Sequence, residues 1–473
     1  MASQEDPEPL REPVSAVDHA WLRMDEPSNL MIINGALVMD EPVSFDRLKA
    51  MMRRRLLPIR RFRQRVIHFE GAPYWEEDPE LDLDRHLHRR ELPRPGDEGV
   101  LRAVVSELMS EPLDLGRPLW SFHLLTGFKG DGCVLVGRLH HSIGDGMALL
   151  LVLLSLTDMT AGEPGTEAPD ELDSPFTDLF RLPPRGHEAA KQLAERIMPD
   201  GIRLMQQSAD AFSSLGILKS SIGSLSAFTR LVLRLPDPST IFKGPLGIPK
   251  RVAWSEAIAV DDVKEIGRAL KGTVNDVLLS AMTGGLRRYL EAKGKPADGL
   301  NFRAAMPVNL RSLDDMADLG NQFGLVFLSL PVGIADPVER LAELHRRSGA
   351  LKRSAEPVVV YLILKLLGVV PAAVQRMVVS LFAAKTTAVM TNVPGPREVL
   401  YLAGRAIREI FFWVPQSGRV GLGISIFSYA GHVRMGLATD AGLVPDPERI
   451  VQGFHAELAE LRARAGTGPK GVL

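Results

Sequence analysis

The stretch that most limits how this chain can fold is residues 133–154, where an apolar, β-branched run meets a glycine-framed turn and then a second apolar run. Cys133-Val134-Leu135-Val136-Gly137-Arg138-Leu139 reads as a short buried strand. Met147-Ala148-Leu149-Leu150-Leu151-Val152-Leu153-Leu154 is long enough for a buried helix, with Asp145 standing where its N-cap falls. Between them, His140-His141-Ser142-Ile143-Gly144-Asp145-Gly146 makes a tight turn that sets a proton acceptor and a carboxylate four residues apart at a strand end. Successive strand residues face opposite ways, so only one of His140 and His141 looks into a given cavity. That disfavours a metal held by the pair, since zinc-binding histidines on a helix sit at i and i+4 and no third ligand lies nearby in sequence. A lone imidazole facing a substrate hydroxyl suits general-base chemistry instead.

Composition narrows the classes. At 473 residues and 45% hydrophobic, the chain has material for more than one core, and two domains are expected. Lys+Arg 56 against Asp+Glu 58 leaves no positive field of the kind a nucleic-acid binder uses, so DNA and RNA are excluded as partners. The single cysteine, Cys133, rules out an internal disulfide framework and fits a reducing compartment; its apolar neighbours offer a thiolate nothing. There is no G-x-S-x-G elbow, so a covalent acyl-enzyme is disfavoured. The acidic, polar stretch at residues 1–9 is expected to be a frayed tail, neither signal nor transit peptide. The most apolar region, residues 357–384, is broken by Lys365, Pro371 and Arg376, short of the roughly 18 uncharged residues a spanning helix needs. Its apolar faces meet either lipid or the protein core, and the sequence leaves both open.

Breakers divide the chain into flexible tails at 1–12 and 466–473, an N-terminal half at 13–185, a helical crossover at 186–249 and a C-terminal half at 250–465. The first half closes in a Pro-, Gly- and acid-rich stretch at 158–185. The crossover carries helices at 189–198 and 213–235, stopped by Pro236-Asp237-Pro238. In the second half the patterns predict strands at 252–258, 324–330, 387–391, 421–428 and 432–437, and a long helix at 276–292.

His140-His141-x-x-x-Asp145-Gly146 resembles the HHxxxDG signature of the CoA-dependent acyltransferase superfamily. The rest of the chain resembles the bacterial wax ester synthase/diacylglycerol acyltransferase family in order and spacing. The landmarks are Pro13-Val14-Ser15-Ala16-Val17-Asp18, Pro118-Leu119-Trp120, Asn275-Asp276-Val277-Leu278-Leu279 with Leu286-Arg287-Arg288-Tyr289-Leu290, and Met306-Pro307-Val308-Asn309-Leu310-Arg311. Gly320-Asn321-Gln322-Phe323-Gly324, Thr391-Asn392-Val393-Pro394-Gly395-Pro396 and Ser428-Tyr429-Ala430-Gly431 complete them. Ser121, where the family often carries an acid, and Leu81, where an aromatic is common, depart from it and bear at most on substrate preference.

The resemblance implies a mixed α/β fold of two chloramphenicol-acetyltransferase-like halves joined by the crossover, with an active-site tunnel between them. It implies transfer of a fatty acyl group from acyl-CoA to a diacylglycerol or long-chain alcohol hydroxyl, giving triacylglycerol, wax ester or both. His141 is then the general base, His140 supports the turn, and Asp145 holds the loop by pairing with an arginine that the sequence does not identify. Gly146, lacking a Cβ, keeps the channel clear. Asn275 is either an oxyanion donor or the N-cap of the helix that follows, and capping is the commoner role. Acyl-CoA is a co-substrate, with no permanently bound cofactor and no metal. A cytoplasmic protein peripherally attached to membrane or lipid droplets is expected.

Two other classes compete. A condensation-domain-like or polyketide-tailoring enzyme takes carrier-protein thioesters, but no carrier region is present; a catalytically idle lipid-droplet coat needs no base, yet His141 and Asp145 are intact. Arg53, Arg54, Arg55, Arg60, Arg61, Arg63 and Arg65 form a basic cluster that suits CoA phosphates or anionic headgroups, though a solvated face is the plainer reading. His86 and His88 are expected to face solvent, and Asn392-Val393-Pro394-Gly395-Pro396 to form a rigid turn, which the resemblance sets near the acyl channel.

Overall fold

The structure, a computed structural model, describes residues 11–161, 188–214, 233–311, 319–351, 356–416 and 418–466. Most of both tails, the breaker-rich stretch after residue 161 and most of the expected 213–235 helix lie outside them.

The first half runs β1 (Glu12–Pro13), α1 (Ala16–Met24), β2 (Ile32–Met39), α2 (Phe45–Met51), β3 (Gln64–Phe69), β4 (Ala72–Glu77), β5 (Leu87–Glu91), α3 (Glu98–Met109), β6 (Trp120–Phe128), β7 (Gly132–His140) and α4 (Gly146–Ser155). The crossover supplies α5 (Glu188–Ile197) and α6 (Pro199–Ser214). Then come β8 (Lys250–Trp254), β9 (Ile258–Ala259), α7 (Val260–Ala269), α8 (Val274–Ala292), β10 (Phe302–Asn309), β11 (Phe323–Leu330), α9 (Pro337–Leu351), α10 (Glu356–Leu367) and α11 (Ala372–Ala384). The chain continues through β12 (Ala388–Pro394), β13 (Tyr401–Leu402), β14 (Arg405–Ala406), β15 (Glu409–Trp413), β16 (Leu422–Tyr429), β17 (His432–Asp440) and α12 (Glu448–Arg464).

The molecule is a mixed α/β protein built on two principal sheets. One has the order β15-β2-β7-β6-β5; the other has β11-β10-β12-β16-β17-β8, with β9 also on β17. The halves expected at 13–185 and 250–465 are not closed on themselves. β15 leaves the second half and pairs antiparallel with β2, Phe412 opposite Gly35, as an edge strand of the first sheet. It passes so close over the second sheet that a Cβ at Gly436 would collide with the Phe412 carbonyl. α3 is tied to β8 in turn: the Ser106 and Ser110 hydroxyls accept from the backbone N–H groups of Val252 and Lys250 at 3.1 and 3.0 Å.

Local sequence explains most boundaries. Ser15 accepts from Asp18 N at the start of α1, and Asp145 from Ala148 N at the start of α4. The strand expected at 252–258 breaks into β8 and β9 because Ser255 bonds Met435 through both its backbone N–H and its hydroxyl, interrupting the ladder. The expected turn at 392–396 starts later: Asn392, Val393 and Pro394 still pair parallel with β16, and the chain turns at Gly395.

Candidate active site

β7 carries its alternation up to His140, so the two histidines diverge. His140 is fully buried, its Nδ1 is 2.8 Å from Ser142 Oγ, and its Nε2 lies 3.7 Å from an oxygen of Asp25. His141 turns to the other side and lines a cavity of about 960 Å³. Its backbone N–H donates to Met31 O at 2.7 Å, fixing the loop against β2.

The loop is pinned from across the molecule. Asp145 Oδ1 accepts from Ala148 N at 3.0 Å, and Oδ2 accepts from Arg311 Nη2 at 3.0 Å and Gln322 N at 3.1 Å. Arg311, fully buried, also donates to Gly320 O at 2.8 Å. Gly320 N donates to Ile143 O and Asp145 N to Gly320 O, so residues 143–145 and 320 zip together. Gly320 sits at φ +110°, a conformation open to glycine and strained for other residues. Both oxygens of Asp145 are thus occupied by donors of the protein itself.

His141 has its own holders. Trp21 from α1 lies flat on the imidazole, ring centroids 4.1 Å apart and 10° between planes, with Phe323 at 5.6 Å. Nδ1 is 2.9 Å from Asn321 Oδ1, while Asn321 Nδ2 donates to His141 O and to Asp18 Oδ1, both at 2.7 Å. Burial drives the pKa of His141 down to about 4, so the ring is neutral near pH 7.

The cavity runs between the sheets. One arm lies under α4 against Ile33, Gly35 and Leu37 of β2 and Leu135, Gly137 and Leu139 of β7; elsewhere its wall comes from α6, α7, the start of α8, β10 and β12. Gly146 lines it, and a Cβ there would meet no protein atom within 4 Å. Asn275 lines it too, but it does not cap α8. Thr273 does, in a reciprocal box with Asp276, because Thr273 stands one residue outside the helix and Asn275 is already in its first turn. Asn275 Oδ1 instead accepts from Asn392 Nδ2 at 2.8 Å. The structure therefore brings His141, Asp145, Gly146 and Asn275 to one cavity and puts His140 behind it.

Other expectations change. His86 is buried, its Nδ1 2.8 Å from Trp120 O and its ring stacked on Trp120, so it does not face solvent; His88 does. The arginine cluster is no open basic face: Arg55 meets Asp158, Arg61 meets Glu12, Arg63 meets Glu77, and Arg65 approaches Glu76 and Asp78. Burial holds the Cys133 thiol up near 11. No group of three or more metal-ligating side chains exists among the described residues. Arg311, Asn321, Asp18 and Trp21 join the site unannounced by residue type, and the signal for the first three is that they lie in segments resembling the family's landmarks.

Residues 14–278 match the wax ester synthase/diacylglycerol acyltransferase catalytic domain, and residues 319–462 match the C-terminal domain of the same family. A probable diacylglycerol O-acyltransferase of Mycobacterium tuberculosis is 26% identical, over 95% of this chain and 96% of that protein. A putative one from the same organism is 30% identical over 84% of each chain. Among solved structures, a wax ester synthase/diacylglycerol acyltransferase from Marinobacter aquaeolei VT8 superposes with a TM-score of 0.66 at 21% identity, covering 96% of this chain and 100% of that one. The first condensation domain of the calcium-dependent antibiotic synthetase gives 0.58 at 15% identity, covering 95% and 97%.

Proposed function

Since the chain belongs to the wax ester synthase/diacylglycerol acyltransferase family, and is an acyltransferase of that type, we propose that it moves a fatty acyl group from acyl-CoA onto a diacylglycerol hydroxyl, with a long-chain alcohol as the alternative acceptor. Diacylglycerol comes first because the curated relatives carry that name. The observation that carries the reading is His141: a neutral imidazole facing a cavity of about 960 Å³, near the top of the ~300–1,000 Å³ usual for small-molecule sites.

In this reading the acceptor hydroxyl gives its proton to His141 Nε2 as its oxygen attacks the thioester carbonyl. Collapse of the tetrahedral intermediate breaks the C–S bond, and the imidazolium returns the proton to the departing CoA thiolate. General-base help of this kind is typically worth ~10²–10⁴-fold. Asn275, whose Oδ1 is taken by Asn392, has its amide N–H groups left for the oxyanion. Asp145 acts as a brace, and His140 supports the turn from behind.

The reaction's lipids are insoluble, and we assign the attachment surface to α10 and α11. No described helix is long and apolar enough to cross a membrane. Yet Leu362 and Leu366 on α10 and Val374, Met377 and Leu381 on α11 are exposed at helical spacing, while Pro357 and Val358 at the start of α10 line the cavity. An apolar stripe beside the substrate cavity suits peripheral contact with a membrane or lipid droplet.

The activity test is thiol release from palmitoyl-CoA with diolein, hexadecanol or no acceptor. Release stimulated by an acceptor, and lost on the order of 10²-fold or more in His141→Ala with an unchanged far-UV circular dichroism spectrum, is expected. Release indifferent to acceptor, or a fully active His141→Ala, overturns it.

A further inference from the structure

We propose that Asn321, anchored by Asp18, is a positioning residue that favours the tautomer of His141 with its proton on Nδ1. The inference rests on His141 being the base, and it adds how the base is kept in its working tautomer.

The argument is one of donors and acceptors. Two oxygens lie 2.7 Å from Asn321 Nδ2, the carbonyl of His141 and a carboxylate oxygen of Asp18. A backbone carbonyl only accepts, so the nitrogen end of the amide must face it, and the opposite orientation would set oxygen against oxygen. That leaves Oδ1 facing His141 Nδ1 at 2.9 Å. Oδ1 also only accepts, so the hydrogen between them belongs to Nδ1, and the backbone carbonyl of His141 itself, a second acceptor for the ring, favours the same tautomer. Nε2 is then the bare nitrogen, the one free to take a proton from the acceptor hydroxyl. Asp18 is itself held: Ser15 Oγ donates to its second oxygen at 2.7 Å, and it sits on the first turn of α1. Trp21, one turn further along the same helix, lies flat on the ring and fixes its plane. One short helix therefore sets the tilt of the imidazole and, through Asn321, reinforces its tautomer.

A neutral partner has a consequence that a carboxylate would lack. An amide orients the ring without adding a negative charge at Nδ1, so the lowered pKa that burial imposes is not reversed.

The test reads the tautomer directly. In protein labelled with nitrogen-15 histidine, with His141→Ala used only to assign the missing signals, wild-type His141 at pH 7 is expected to show a protonated Nδ1 and a bare Nε2. Asn321→Leu is expected to give a mixture of tautomers and to lower kcat on the order of 10- to 100-fold, with KM for palmitoyl-CoA within about twofold. The wild-type measurement needs no folded Asn321 variant. A wild-type His141 protonated on Nε2 overturns the proposal, as does an Asn321→Leu enzyme with wild-type kcat or one whose His141 stays wholly protonated on Nδ1. If instead His141→Ala keeps acceptor-dependent thiol release, the base reading itself falls.

Discussion

At the scale of single residues, the site turns on a histidine that must stay uncharged. Burial lowers the pKa of His141 from 6.5 to about 4, and a base works only in its deprotonated form. As pH falls from 7, an exposed imidazole would begin to protonate near 6.5, whereas this one stays neutral until pH approaches 4. The acid limb that His141 imposes on kcat/KM is thus expected near pH 4, with turnover nearly flat from pH 7 to 5; a limb centred at 6.5 in a protein still folded by circular dichroism contradicts the buried-base picture. His141 and Asp145 were legible in the sequence because strand, turn and helix cap are neighbours there. Their partners were not: Arg311, Asn321 and Asp18 come from distant parts of the chain, and residue type alone does not announce a pairing across such separations. Asn275 misled for a related reason, since Thr273, two residues earlier, is also a favoured cap and its reciprocal box with Asp276 fixes the register of the helix start.

At the scale of elements, the most consequential feature is a pair of missing side chains on the continuous β2–β7 ladder. Gly35 and Gly137 are cross-strand partners, and both line the cavity arm beneath α4. A Cβ on Gly137 would come 2.8 Å from the Phe122 ring, whereas one on Gly35 meets nothing nearer than 3.8 Å. Gly35→Val should therefore fold and fill the arm with methyl groups. An apolar pocket discriminates by about 1–3 kcal/mol per methylene, so the kcat/KM preference for palmitoyl over octanoyl chains is expected to fall tenfold or more in either the acyl-CoA or the alcohol series. Unchanged ratios in both would show that neither chain enters this arm. The strands themselves were legible from alternation, and β11, β12, β16 and β17 lie within a few residues of expectation. What alternation does not carry is partner choice. β15 reads like any short apolar strand, yet it completes the sheet of the other half, because an edge strand pairs with whichever edge the fold brings near.

At the scale of the whole molecule, charge and apolar surface separate in a way composition concealed. The arginines at 55–65 face acids from β4 and from Glu12 and Asp158, so their field is largely cancelled within the protein. The exposed apolar stripe lies elsewhere, on α10 and α11, whose opposite faces pack on α1 through Arg23, which donates to Leu367 O and Val370 O, and through Gln375, which donates to Ala20 O. The core reading of residues 357–384 thus holds for one face, where Val359, Val360 and Leu364 are buried, while Leu366 and Met377 are 61% and 66% exposed on the other, the face proposed here to meet lipid. Only Lys365 and Arg376 accompany the stripe as exposed cations within these two helices. Attachment through headgroup charge weakens as salt shortens the Debye length from about 10 Å at 0.1 M to about 3 Å at 1 M, while apolar insertion does not. Flotation with diolein-containing anionic vesicles is therefore expected to survive high salt with little loss, and to be abolished in Leu366→Asp/Met377→Asp, where two carboxylates would have to enter the interface. That double variant leaves the cavity and His141 untouched, so it should still release thiol from octanoyl-CoA with a short soluble alcohol. Flotation that disappears at high salt, or that the double variant retains, would move the attachment surface away from α10 and α11.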